Sequence, residues 1–136
     1  MMKPKFQQLL KKLHSNPKHI FLIDGLGALI SAFSLGIVLV IFKNYFGMPQ
    51  NVLHVLAAIA CIFAIYSFSC ALRMPKIWQL FLKLIAMANF IYCCVTIALL
   101  YYFYQKLTIL GLIYFVLEII VIFVLVKIEF AIANLK

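Results

Sequence analysis

The chain has 136 residues, of which 68% are apolar and only 11% are charged. A soluble domain of this length could not bury so much apolar surface, because small domains leave a large share of their surface exposed. The net charge of +9 comes from basic residues at the ends of apolar runs, where membrane topology requires them, so we expect no nucleic-acid partner. The composition predicts an all-α, polytopic membrane protein, with the lipid bilayer as the solvent for most side chains.

The first 19 residues form a basic amphipathic segment. Phe6, Leu9, Leu10 and Leu13 follow the spacing of one helical face, and lysines lie between them. Such a helix is suited to lie at the membrane interface, where its lysines contact anionic lipid head groups. The Ser-Asn-Pro sequence at positions 15–17 is expected to end it.

Four long apolar runs follow, at about residues 20–42, 51–72, 77–104 and 108–130. Each is long enough to cross the hydrocarbon core, which needs roughly 20 helical residues. The first run exceeds the core of a signal peptide and no A-x-A site follows it, so it is interpreted as a retained span. The three connections are short and force neighbouring helices antiparallel. Residues 1–136 are therefore predicted to form one domain, an antiparallel bundle of four transmembrane helices with an N-terminal interfacial helix.

The orientation follows from the distribution of lysine and arginine. Ten of the twelve lie in the N-terminal segment, around the second connection and at the C-terminal end, all on one side of the bundle. The other side has only Lys43 and Lys106. Because positively charged loops stay inside, both termini are predicted to be cytoplasmic, in a multi-pass protein of the inner membrane.

Polar residues inside the spans are candidates for function, because they are costly to place in lipid. At 1.5 Å per residue, Glu118 and Asn89 lie near the midplane, and Ser31, Cys61 and Tyr92 lie at a similar depth. The candidates for a polar interior or transport route are Glu118, Asn89, Asp24, Ser31, Tyr92 and Lys83.

Two of these candidates leave alternatives open. Glu118 could act as a proton site, a cation site or a counter-charge for a substrate, or it could hydrogen-bond Asn89 or Tyr92 and tie two helices together. Asp24 and Lys83 lie at similar depths and could form an ion pair, or each could reach headgroup water alone.

Small residues recur along the first two spans. Asp24, Ala28, Ala32 and Gly36 share one face of the first span, and alanines and Ser67 form a similar stripe on the second. Small residues allow helices to approach closely in lipid, and this face of the first span is the candidate interface of a homo-oligomer, expected to be a dimer. No catalytic, cofactor or metal motif is present, so we expect a non-enzymatic protein without a cofactor.

The stretches IDGLGALISAFSLG, YFGMPQNVLHVLA and LTILGLIYFVLEIIVIFVLV resemble small four-helix inner-membrane proteins of bacteria that have no assigned function. A coarser similarity is to the small multidrug-resistance transporters, which are dimeric four-helix proteins with one essential membrane carboxylate. That carboxylate lies in their first helix, whereas Asp24 is much nearer the helix end. The resulting hypothesis is a small transporter or channel for protons, cations or a small solute. The alternative is an accessory, regulatory or immunity-type membrane protein whose polar residues serve packing.

Overall fold

A computed structural model describes residues 4–134, which form helices and connecting turns and contain no strand. The helices are α1 (Pro4–Ser15), α2 (Lys18–Ile41), α3 (Lys43–Phe46), α4 (Gln50–Arg73), α5 (Trp78–Tyr102) and α6 (Ile109–Asn134). Within α2, the segment Ser34–Val38 is π-helical, which the sequence analysis did not anticipate.

Four of these helices, α2, α4, α5 and α6, are long and apolar enough to cross a membrane. Their surfaces are rich in exposed aliphatic side chains, such as Ile30 on α2, Leu72 on α4 and Ile109 on α6. Such surfaces are stable only when hydrocarbon surrounds them. The prediction of an all-α, multi-pass membrane protein is therefore confirmed.

The helix boundaries have local causes in the sequence. Asn16 and Pro17 separate α1 from α2, and Pro49 precedes the first turn of α4. Gly47 has a φ of +86°, a conformation that glycine adopts easily, and a Cβ atom there would meet the carbonyl oxygen of Lys106. Thr108 caps α6, because its Oγ1 accepts a hydrogen bond from the Gly111 amide at 3.1 Å.

The small residues of α2 pack against α4 of the same chain. A Cβ atom added to Gly36 would lie 3.2 Å from the Cβ of Ala57, and one added to Gly25 would lie 3.1 Å from the ring of Phe68. On α4 the stripe of Ala57, Ala60, Ala64, Ser67 and Ala71 is buried. The face that the sequence analysis assigned to an oligomer interface therefore has an intrachain partner along much of its length.

Two apolar clusters form the core. One joins Ile20 and Phe21 of α2 to Leu82 of α5 and Ile132 of α6, and Leu10 and Leu13 of α1 pack into it. The other cluster lies at the opposite end of the bundle. Its buried members are Leu35, Leu39, Met48, Leu53, Leu56, Ala57, Tyr92, Leu100 and Phe115. Helix α1 thus packs against the end of the bundle that contains the C-terminal part of α6.

Candidate functional site

A cavity of about 430 Å³ separates α2 from α6, and it is termed the α2–α6 cavity. Helices α2 and α6 contribute most of its lining, while Ala60 and Phe63 of α4 and Asn89 and Tyr92 of α5 complete it. None of the lysine, arginine or histidine residues within 4–134 belongs to this lining. The cavity is large enough for a small organic molecule.

The lining divides into apolar and polar parts. Ile30, Leu117 and Val121 line the cavity and are also exposed on the surface of the spanning helices, so the rim of the cavity is apolar. The polar members of the lining are Asp24, Ser31, Ser34, Asn89, Tyr92, Tyr114 and Glu118. A molecule inside would therefore contact both hydrocarbon side chains and carboxyl groups.

Two tyrosines hold the carboxyl group of Glu118. Tyr92 Oη on α5 donates to Glu118 Oε1 at 3.0 Å, and Tyr114 Oη, one turn earlier on α6, donates to Glu118 Oε2 at 3.0 Å. Of the two partners considered for Glu118, Tyr92 forms the bond and Asn89 does not. A carboxylate oxygen accepts more than one hydrogen bond, so both oxygens keep lone pairs available to a cation in the cavity.

Asp24 does not pair with Lys83, and the ion pair considered from the sequence is wrong. Asp24 is buried and accepts hydrogen bonds from Ser67 on α4 and from Asn89 Nδ2 on α5, the latter at 3.0 Å. Lys83 precedes Asn89 by six residues, which places it about 120° around α5, on another face. Burial also rules out the alternative in which Asp24 reaches headgroup water.

Glu129 is a buried carboxyl group that was not among the candidate residues, although helical phase predicts that it shares a face of the fourth span with Glu118. Its Oε1 lies 3.4 Å from Asn89 Nδ2, and its side chain is fully buried. The expected end of the fourth span placed it near the aqueous boundary. Its phase was informative, because Glu129 follows Glu118 by eleven residues, slightly more than three full turns, and so shares its face.

The remaining candidates are divided between the interior and the surface. Ser31 is half-buried and lines the cavity, as does Ser34, the first residue of the π-helical segment. Cys61, expected in the same layer as Ser31, is exposed on the outside of α4.

A π-helical turn adds a residue to a helix and changes where the following side chains point, and such turns often occur at functional sites.

Among residues 4–134, no three His, Cys, Asp or Glu side chains converge in a way that could hold a metal ion. The polar groups in the lining of the α2–α6 cavity are carboxyl groups, hydroxyls and one amide. No family model, curated protein or solved structure matches the chain.

Proposed function

We propose that the protein is a small membrane transporter or channel in which a positively charged solute occupies the α2–α6 cavity and Glu118 supplies the counter-charge. The observation that carries this proposal is a cavity of about 430 Å³ that is lined by the carboxyls of Asp24 and Glu118 and by no basic side chain of residues 4–134. An unpaired negative charge is expensive in lipid, and an oppositely charged solute would compensate it.

The shape and lining favour an organic cation over a bare metal ion. A protein metal site commonly brings together at least three His, Cys, Asp or Glu side chains, and no such group occurs among residues 4–134. The apolar side chains of Ile30, Leu117 and Val121 fit a hydrocarbon body, and Glu118 fits an attached ammonium group. The solute class is therefore an amine or quaternary ammonium compound that enters from the bilayer.

The proposal includes an antiparallel bundle with both termini in the cytoplasm of an inner-membrane protein. On α5, Asn89 precedes Tyr92, whereas on α6 its partner Glu129 follows Glu118, the partner of Tyr92. This reversed order is expected if α5 and α6 run in opposite directions. Labelling of single cysteines introduced at Lys43 and Lys106 should occur from outside, and labelling of either from the cytoplasm would reverse the orientation.

Helix α1 is proposed to lie at the interface with anionic head groups. Leu10 and Leu13 are buried against the bundle, while Lys5, Lys11 and Lys12 are exposed, which supports this placement. A homodimer is proposed to complete the transport path, because four helices alone enclose little space. Crosslinking in native membranes should yield a dimer, and only monomer would count against it.

A second candidate is an accessory or regulatory membrane protein whose polar residues serve packing. The hydrogen bond between Tyr92 and Glu118 favours it, because that bond already ties α5 to α6 without any solute. Interhelical bonds of this kind contribute about 0.6–2 kcal/mol in lipid. The two candidates differ in one respect: only the transporter needs Glu118 to carry a charge.

Charge movement in reconstituted vesicles distinguishes them. The probe is benzyltrimethylammonium, applied as a concentration jump to full-length protein on a solid-supported membrane. Glu118→Gln keeps the size and the tyrosine contacts but removes the charge. The transporter proposal predicts a current that this change abolishes while thermal unfolding stays within a few degrees. A variant that alters only unfolding, with no wild-type current, would favour the packing role.

A further inference from the structure

Each of the four spanning helices contributes one side chain to a buried polar cluster, termed the carboxyl-pair site. Its members are Asp24 on α2, Ser67 on α4, Asn89 on α5 and Glu129 on α6. Asn89 Nδ2 lies 3.0 Å from Asp24 Oδ1 and 3.4 Å from Glu129 Oε1, and Ser67 Oγ donates to Asp24 Oδ2. The amide nitrogen of Asn89 therefore lies between the two carboxyls and contacts both.

No cation neutralises this pair among the residues that the structure describes. Lys127, two residues before Glu129, is exposed, and Lys83 lies on another face of α5. The other titratable side chains near Asp24 are Tyr66 and Cys70 of α4, and both residue types are ordinarily uncharged at neutral pH. Two adjacent carboxylates without a counter-ion would be far more costly in this setting than one.

One oxygen of the pair lacks a partner. Glu129 Oε2 is buried and accepts no hydrogen bond from any described residue, although Glu129 Oε1, Asp24 Oδ1 and Asp24 Oδ2 all accept one. A buried polar atom left unsatisfied costs about 1–3 kcal/mol. A proton on Glu129 would remove this cost, because the resulting O–H could donate to Asp24.

We propose that Asp24 and Glu129 form a proton-binding site that holds one proton on Glu129 and one negative charge on Asp24. The proton donates a hydrogen bond across the pair, and Ser67 and Asn89 stabilise the charge that remains. The surroundings fit a proton better than a metal ion, because Ser67 and Asn89 present hydrogens to the carboxyls, whereas a metal ion needs oxygen acceptors.

The pair adjoins the α2–α6 cavity on one side only. Asp24 lines the cavity, and Glu129 is not among its lining residues. The number of protons on the pair therefore sets the charge that a solute in the cavity meets. The effect on a solute rests on the proposed transport function, whereas proton binding by the pair does not. The proton is therefore measured directly and without a solute.

The chain contains only three carboxyl side chains, which makes infrared spectroscopy unusually selective. In a Glu118→Gln background, Glu129 is the only glutamate and Asp24 the only aspartate. Full-length protein in phosphatidylcholine vesicles at neutral pH is compared without label, with carboxyl-¹³C glutamate and with carboxyl-¹³C aspartate. We expect one carboxylic-acid band that shifts with the glutamate label and one carboxylate band that shifts with the aspartate label.

Two acid bands, no acid band, or one that follows the aspartate label would overturn the proposal. In the same background, Asp24→Asn should shift the frequency of the Glu129 acid band, because it changes the acceptor of the proton. An unshifted band would show that the two groups do not share a hydrogen bond and would also overturn the proposal. Wild-type protein with the aspartate label reports the protonation state of Asp24 without any substitution, because Asp24 is its only aspartate.

Discussion

Gly111→Ala tests the contact between α3 and the first turn of α6 at one end of the bundle. A Cβ atom at Gly111 would overlap the carbonyl oxygen of Phe46 and lie 3.0 Å from its carbonyl carbon. The obstacle is backbone, which cannot rotate away as a side chain can. Inserting a methyl group into a packed site costs about 1–3 kcal/mol, and the better helix propensity of alanine offsets about 0.5–1 kcal/mol of this. We expect the free energy of unfolding to fall by about 1–2 kcal/mol.

Gly27→Ala is the matched control, because it makes the same substitution on α2, where a Cβ atom meets nothing within 4 Å. It should leave the stability unchanged or raise it by about 0.5–1 kcal/mol. The measurement is unfolding in mixed micelles with increasing SDS, followed by circular dichroism. Equal stabilities of the two variants, or a more stable Gly111→Ala protein, would refute the contact between Phe46 of α3 and the first turn of α6.

Two further substitutions test other contacts. Leu10→Ser should detach α1 from the bundle, and the fluorescence of Trp78, which contacts His14 of α1, should shift to longer wavelength. Leu9→Ser should cause no shift, because Leu9 is 45% exposed whereas Leu10 is only 3% exposed. Equal emission spectra of the two variants would contradict the packing of α1. Thr108→Ala should lower the free energy of unfolding by about 1 kcal/mol, because it removes the side-chain cap of α6. Thr108→Ser keeps the hydroxyl and should retain most of the stability. An alanine variant as stable as the wild type would contradict the capping role.

The spanning helices were predictable because hydropathy and length are properties of the local sequence. The boundary at Asn16 and Pro17 was predictable for the same reason. Tyr92 was one of two partners considered for Glu118 from their common depth, and the structure selects it over Asn89. Asn89 was a candidate for the polar interior because of its depth, and it is buried. These features depend on one helix or on two adjacent ones.

The errors concern how helices are rotated relative to one another. Depth placed Cys61 beside Glu118, but depth does not say which way a side chain points, and Cys61 faces outward. Lys83 matched Asp24 in depth but lies on another face of α5, while Ser67 and Asn89 take its expected place. Glu129 was left out of the candidate residues because it lies in the last turn of the expected span, 108–130, although helical phase placed it on the same face as Glu118.

The π-helical segment Ser34–Val38 and the α2–α6 cavity could not be derived from the sequence pattern. Ser34 and its neighbours read as ordinary apolar helix, because a π-helical turn has no strong sequence signature. The cavity exists where α2 and α6 diverge, and that separation is set by the packing of α2 on α4 and of α5 on α6.

The central claim is that a solute passes through the α2–α6 cavity, and blocking the cavity while leaving its carboxyls intact tests it most directly. Ser31 lines the cavity, and Ser31→Phe would fill part of it. Ser69→Phe is the matched control, because Ser69 is exposed on α4 and outside the lining. In reconstituted vesicles, the benzyltrimethylammonium current should fall at least about tenfold for Ser31→Phe, an increase of about 1.4 kcal/mol in the barrier, and stay unchanged for Ser69→Phe. A Ser31→Phe protein that carries the full wild-type current would contradict the claim.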